Sequence, residues 1–285
     1  MRNLCILFFS CLMACAYAVE PTIVYLYSDA KPNDNGYALT DEYTGNFGEI
    51  YQTSEPRIDL YLPKNADNAP LLLVCPGGGY RYTSVINEGL NVADFFVPRG
   101  IAVAVLKYRV PNQHADIPLT DAVRAMQLLR SNASQWKINP RKMGVMGFSA
   151  GGHLAAMLLT QYGSAEARPD FGILVYPVIS MDALITHAGT CRMLLGDNPT
   201  AEERAAWSAE NGVTTDTPPC FLVACQDDRA VPVENSIRFY QALTANKVTS
   251  EMLLLPAGGH GWGFARHFPQ RELFETALLN FLSAR

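Results

Sequence analysis

Short aliphatic and β-branched runs alternate along this chain with segments of helical periodicity, and few folds accommodate that order. Leu71–Cys75, Ile101–Leu106, Lys142–Phe148, Phe171–Tyr176, Cys220–Cys225 and Glu251–Leu255 read as strands. Val85–Val97, Leu119–Arg130, Ala150–Leu159, Val233–Asn246 and Arg271–Ser283 read as helices. The first of these stops at Pro98 and Gly100, and in the second Asp121 and Arg124 are spaced to pair across one turn. Ile58–Leu62 alternates as a half-buried strand does. Strands alternating with helices predict an α/β class chain with a mostly parallel central sheet and helices on both faces. No linker-like stretch divides residues 19–285, so one domain is expected there. The longest break in the alternation, about 179–219, is expected to be an irregular inserted cap or loop.

The start of the chain follows other rules. One positive charge at Arg2 precedes an apolar run, Leu4–Ala14, and small residues bracket Tyr17 in Ala16-Tyr17-Ala18. That pattern predicts a signal peptide over 1–18 with cleavage before Val19. The alternative is a lipobox reading of Leu12-Met13-Ala14-Cys15, with a lipid anchor at Cys15; both readings predict export to the periplasm or beyond. The run is too short for a permanent membrane span. Four cysteines then remain, Cys75, Cys191, Cys220 and Cys225, with no zinc-like spacing. Buried free thiols are expected, although export permits a disulfide through Cys191. A net charge of −5 without a dense Lys/Arg run leaves no footprint for nucleic acid.

Chemistry enters at Gly147-Phe148-Ser149-Ala150-Gly151, a G-x-S-x-G string between a predicted strand and a predicted helix. That context suits a nucleophile elbow: a sharp turn exposes the serine oxygen beside the positive end of the helix. A serine hydroxyl needs a base, and the base needs an orienting acid. His260, in Gly258-Gly259-His260-Gly261-Trp262 after the last strand, is the expected base, whereas His153 on the elbow helix reads as a core residue. Asp227-Asp228 follows the Cys220–Cys225 strand; Asp228 is the expected acid, with Asp227 free to shape the turn. Pro76-Gly77-Gly78-Gly79 after an early strand can supply oxyanion donors at Gly78 and Gly79, joined by the Ala150 N–H. A phosphate-binding P-loop is excluded because its Lys-Ser/Thr is missing.

With those residues in place, the chain resembles the bacterial acetylxylan-esterase-like α/β-hydrolases, some of which carry an endo-xylanase label. The likeness spans nearly all of the expected mature chain. It rests on Pro76-Gly77-Gly78-Gly79-Tyr80, Leu106-Lys107-Tyr108-Arg109-Val110-Pro111, Gly147 to Ala155, Tyr176-Pro177-Val178-Ile179-Ser180-Met181, Asp227 to Ser236 and Gly258-Gly259-His260-Gly261. The resemblance implies an α/β-hydrolase fold and a serine esterase that removes acetyl groups from xylan-type polysaccharides. By motif position its triad is Ser149, Asp228 and His260, working without cofactor or metal. Pro76 stands where many esterases have histidine. A xylanase reading is disfavoured, because glycoside hydrolysis generally needs two carboxylates flanking the scissile bond. Substrate choice is expected in the loops around Tyr80, His187 and Trp262, with Tyr82, Trp207 and Phe264 as further aromatics able to meet a sugar. Other readings stay open: a feruloyl or short-acyl carboxylesterase, a prolyl-oligopeptidase-type peptidase, or a non-catalytic sugar-binding protein on the same scaffold.

Overall fold

The computed structural model describes residues 20–265 and 267–285. The expected signal peptide at 1–18 and the alternative anchor at Cys15 therefore lie outside the described residues. Eight strands form the main sheet: β1 (Thr22–Tyr25), β2 (Arg57–Tyr61), β3 (Ala69–Cys75), β4 (Ala102–Lys107), β5 (Ile138–Phe148), β6 (Phe171–Val175), β7 (Cys220–Cys225) and β8 (Ser250–Leu255). Their order is β1-β2-β4-β3-β5-β6-β7-β8. β2 runs antiparallel to β1 and β4, and every other neighbouring pair is parallel. This is the α/β-hydrolase fold.

The central strands are covered on both faces, which is why they read as continuous apolar runs. Successive side chains point to opposite faces. Leu71, Leu73 and Cys75 enter one core with α2 (Asp116–Ser131), α3 (Ser149–Thr160) and α6 (Glu234–Ala245). Leu72 and Val74 enter the other, with α1 (Asn91–Phe96) and α7 (Arg271–Ser283). A small second sheet joins Tyr43–Thr44, Ile50–Tyr51 and Tyr82–Thr83, all antiparallel.

Three sequence expectations need correction. The helix expected over Val85–Val97 is composite: a π turn at Ile86–Leu90, then α1, then a 3₁₀ turn at Val97–Arg99 that ends on left-handed Gly100. The π turn carries Glu88 into the interior. The segment 179–219 is not irregular throughout, since it holds α4 (Ala188–Leu195) and α5 (Ala201–Ala206). Thr200 and Glu203 exchange hydrogen bonds in a capping box that starts α5. Asp121 does not pair with Arg124; it pairs with Arg109 at 2.7 Å, both side chains fully buried. Three further hydrogen bonds from Arg109 and one from the Tyr27 hydroxyl satisfy this carboxylate. Such satisfaction is the condition for tolerating a buried charge pair. Arg124 instead donates to the Leu26 carbonyl.

Cys75, Cys191, Cys220 and Cys225 are buried free thiols, and the Cys191 sulfur accepts from Arg204 at 3.2 Å. Among the described residues no helix is long and apolar enough to cross a membrane. No cluster of His, Cys, Asp or Glu among them has the grouping of a metal site.

Candidate active site

Ser149 sits where β5 gives way to α3, with φ at +53°. A non-glycine residue reaches that region only under strain, and the glycines around it make the turn feasible. A Cβ on Gly151 would run into the carbonyl oxygens of Cys75 and Pro76, and one on Gly147 into that of Gly151. The start of α3 thus passes so close to the end of β3 on one side and to β5 on the other that both ends of G-x-S-x-G must be glycine.

Two loops at the carboxyl ends of strands meet the serine. His260 Nε2 lies 2.8 Å from Ser149 Oγ, and His260 Nδ1 lies 2.6 Å from Asp228 Oδ2. Asp228 accepts, so Nδ1 carries the proton and Nε2 is left to accept from the serine hydroxyl. Asp228 is held in turn: its other oxygen accepts from the Ala230 and Val231 N–H groups at 2.9 Å each. Its side chain is 1% exposed. Asp227 does a different job. Its Oδ1 accepts from Gly258 and Gly259, pinning the loop that carries His260. Those bonds from Gly259 and Gly258 hold its carboxyl below the usual aspartate range.

Facing the serine across a cavity of about 280 Å³ are Gly78 and Gly79. Both have positive φ, +133° and +62°, and a Cβ on Gly78 would collide with the Tyr82 carbonyl. Among the described residues the N–H groups of Gly78, Gly79 and Ala150 have no protein acceptor. Gly78 and Gly79 line the pocket that holds Ser149, and Ala150 follows Ser149 in the first turn of α3. His187 lines the same cavity. Its Nδ1 accepts from the Thr190 N–H at 3.1 Å, which leaves the neutral ring's proton on Nε2. Desolvation, with His260 nearby, lowers its pKa and favours that neutral form. A larger cleft of about 430 Å³, around Pro63, Lys64 and Val97, shares no lining residue with this one.

Sequence reasoning missed Glu88. It lines the cavity while only 4% exposed. Its Oε2 accepts from the Gly77 N–H at 2.6 Å, and its Oε1 accepts from the Tyr176 hydroxyl at 2.7 Å. That hydroxyl accepts from the Gly263 N–H at 2.7 Å, and the Tyr176 ring lies 4.7 Å from the His260 ring. One carboxyl thus ties the glycine loop to the histidine loop. Burial raises its pKa, while the bonds from Tyr176 and Gly77 act in the opposite direction. The available signal was an acid on an apolar stripe: Glu88 falls three residues after Val85 and four before Val92. Glu88→Gln leaves one acceptor where two are used, and its amide hydrogens then face either the Gly77 N–H or the Tyr176 hydroxyl. We expect kcat to fall on the order of 10²-fold, because displacing a reacting geometry by about 1 Å has that effect. KM changes far less. A variant with a lowered melting temperature but native kcat would show that Glu88 serves stability only.

The family model BD-FAE matches residues 58–243. The chain belongs to the BD-FAE family. Among its relatives is the acetylxylan esterase of Xylanibacter ruminicola, 36% identical over 79% of this chain and 47% of that protein. Another is endo-1,4-beta-xylanase B of Butyrivibrio fibrisolvens, 37% identical over 77% of this chain and 36% of that protein. The chain thus spans less than half the length of these curated relatives. Over nearly whole chains, it is 32% identical to the acetyl ester-xyloside bifunctional hydrolase of Caldicellulosiruptor lactoaceticus. That crystal structure superposes with a TM-score of 0.74, covering 93% of this chain and 98% of the other. BD-FAE membership and the superposition with that hydrolase agree with the α/β-hydrolase fold described above.

Within this BD-FAE chain, two of the three expected substrate residues are placed elsewhere. Tyr80 is 1% exposed; its hydroxyl bonds His153 Nδ1 at 2.9 Å and its ring packs edge-on against Tyr108. Trp262 stacks on Phe268 at 4.1 Å and meets Tyr176 and Phe274 edge-on. Both are core residues: large aromatics beside a site gain more from burial than from water. Phe264 is likewise buried and Trp207 packs against the core, so of the aromatics considered only Tyr82 lines the cavity. His187 is the third expected residue and does line it.

His153 is fully buried. Its Nε2 donates to the Trp207 carbonyl at 2.8 Å, so Nδ1 accepts from Tyr80. Desolvation pushes its pKa down to about 4. The unfolded chain therefore binds the extra proton first, at about pH 6.5. Stability is whole above that pH and drains as pH falls toward 4, by about 3 kcal/mol for this group. Thermal melts across that interval should fall steeply, and His153→Gln should flatten the slope. An equal slope in the variant would assign the acid sensitivity to other groups.

Proposed function

We propose that this chain is a serine esterase that releases acetate from acetylated xylan-type polysaccharides or oligosaccharides through an acetyl-enzyme. The observation that carries the reading is the unbroken chain Ser149–His260–Asp228 opening on a pocket lined by Gly78 and Gly79. The acetylxylan esterase and acetyl ester-xyloside hydrolase among its relatives support the substrate.

In the proposed cycle His260 Nε2 takes the Ser149 proton as Oγ bonds to the acetyl carbonyl carbon. Asp228 stabilises the imidazolium. The N–H groups of Gly78, Gly79 and Ala150 hold the negative oxygen, each donor contributing about 2.7–4 kcal/mol in comparable sites. As the tetrahedral species collapses, His260 passes its proton to the departing sugar oxygen and Ser149 keeps the acetyl group. Water then enters, loses a proton to His260 and attacks the acetyl carbon; acetate leaves as Oγ recovers the proton. His187 Nε2–H is available to donate to a substrate oxygen. This route uses no metal or organic cofactor.

The xylanase label on one relative finds little support in this site's chemistry. Both carboxylates beside the pocket, Glu88 and Asp228, are committed to protein donors. A glycosidase needs one carboxyl free to protonate the leaving oxygen and a second beside the anomeric carbon. We also propose export, on the strength of the leader-like residues 1–18, with a lipid at Cys15 as the other form of the same reading.

The test of the acyl preference is acetate release from acetylated xylan measured beside ferulate release from feruloylated arabinoxylan. Fast acetate and slow ferulate release is expected. The reverse order would make this a feruloyl esterase with the same machinery.

A further inference from the structure

A row of three tyrosines runs from the catalytic cavity to the surface. Tyr82 lines the cavity with Gly78, Gly79 and Ser149. Tyr51 lies beside it across the small sheet, ring centroids 4.9 Å apart, and Tyr43 stacks on Tyr51 at 4.7 Å with the planes 3° from parallel. The register pairs Tyr43 with Tyr51 and Tyr51 with Tyr82, so the three rings share one face of the sheet. Tyr82 and Tyr51 are half-buried, and the outer end of the row, Tyr43, is 53% exposed. At the tip of the same hairpin Phe47 is 84% exposed, and Gly48 packs on Ile86, next to the cavity residue Asn87.

Cross-strand aromatic pairs stabilise a sheet, and strands of two residues need such help. That role does not explain why the row is continuous with the pocket, nor why its outer end is left to solvent. Exposed aromatics beside a catalytic cleft recognise ligands with an apolar face and hydroxyl edges, and a pyranose ring has both. Phenol hydroxyls can donate to and accept from sugar hydroxyls. The row carries no charge of its own, which suits a neutral polymer.

We propose that Tyr82, Tyr51 and Tyr43 form a binding track for the β-linked sugar units flanking the esterified one. The inference rests on the acetylated-polysaccharide reading above and deepens it: the occupant is the neutral xylan-type main chain itself. Tyr82 takes the unit next to the ester, and Tyr43 takes a unit farther along. The cavity alone, at about 280 Å³, accommodates the ester and little more than its own sugar.

Binding of unacetylated xylo-oligosaccharides, followed by isothermal titration, tests the track without any catalytic step. Wild-type protein should bind a six-unit chain more tightly than a two-unit chain. Tyr43→Ala should weaken the six-unit chain roughly 3- to 10-fold, the span expected for one aromatic pairing. It should narrow the difference between the two lengths. Tyr43→Phe should restore most of the loss if the ring is the platform. Circular dichroism melts report whether the small sheet survives. The same length dependence should appear in the KM ratio between long and single-unit acetylated substrates, a ratio that a general structural defect would not move. Length-independent binding, absence of binding by the wild type, or equal weakening of both lengths in Tyr43→Ala would each overturn the proposal. Failure of the esterase reading would show separately, as absent acetate release from the same oligosaccharides once acetylated.

Discussion

Ser149→Ala is expected to lower kcat for ester hydrolysis on the order of 10⁶-fold, the scale found when the nucleophile of a serine triad is deleted. The reasoning is local. Ser149 Oγ is the hydroxyl bonded to His260 Nε2, and its backbone sits at φ +53° in a turn whose flanking glycines allow the close approach of neighbouring backbone. Alanine keeps that backbone and removes only the attacking oxygen. The three N–H donors stay in place, so a residual rate about 10³–10⁴ above water is expected rather than none. Circular dichroism and melting temperature should match the wild type. A variant that kept most of its turnover would place the nucleophile elsewhere.

Asp228→Asn is expected to cost on the order of 10⁴ in kcat at neutral pH, with the fold intact. An asparagine can still accept from the Ala230 and Val231 N–H groups through its carbonyl oxygen. It then presents an amide N–H to His260 Nδ1, which must become an acceptor. The proton moves to Nε2, and the base that should receive the serine proton already holds one. The neighbour is the control. Among the described residues Asp227 accepts only from backbone N–H groups, at Gly258 and Gly259, and an asparagine oxygen can do the same. Asp227→Asn should therefore lose no more than about tenfold, the cost of weakening charge-assisted bonds. Reversal of these two effects would exchange the roles of the adjacent acids.

The sequence disclosed what depends on local pattern. Cys220–Cys225 and Arg271–Ser283 match the observed elements residue for residue, because a doubly buried strand and an amphipathic helix each write their burial as a period. The G-x-S-x-G turn was legible for a related reason: close approach of backbones demands glycine at fixed positions. The small sheet was not legible, since strands such as Tyr43–Thr44 and Tyr82–Thr83 are too short to show a period. Helix α5 buries none of its residues, so no stripe marked it, although Thr200 and Glu203 spelled its capping box. Tertiary contacts hid the rest. Nothing local tells that Asp121 prefers Arg109 over Arg124, or that Tyr80 and Trp262 turn inward while Tyr82 faces the cavity. Glu88 was readable as an acid on an apolar stripe, but its partners, Gly77 and Tyr176, come from other parts of the chain.

On the proposed route the acetyl group passes through Ser149. Rapid acid quench of the protein during turnover of acetylated xylan, followed by mass analysis of its peptides, tests it directly. An acetyl adduct is expected on the peptide carrying Ser149, present in the wild type during turnover and absent from Ser149→Ala. Acetate release at full rate with no adduct on that peptide, or with the adduct retained in Ser149→Ala, would contradict it.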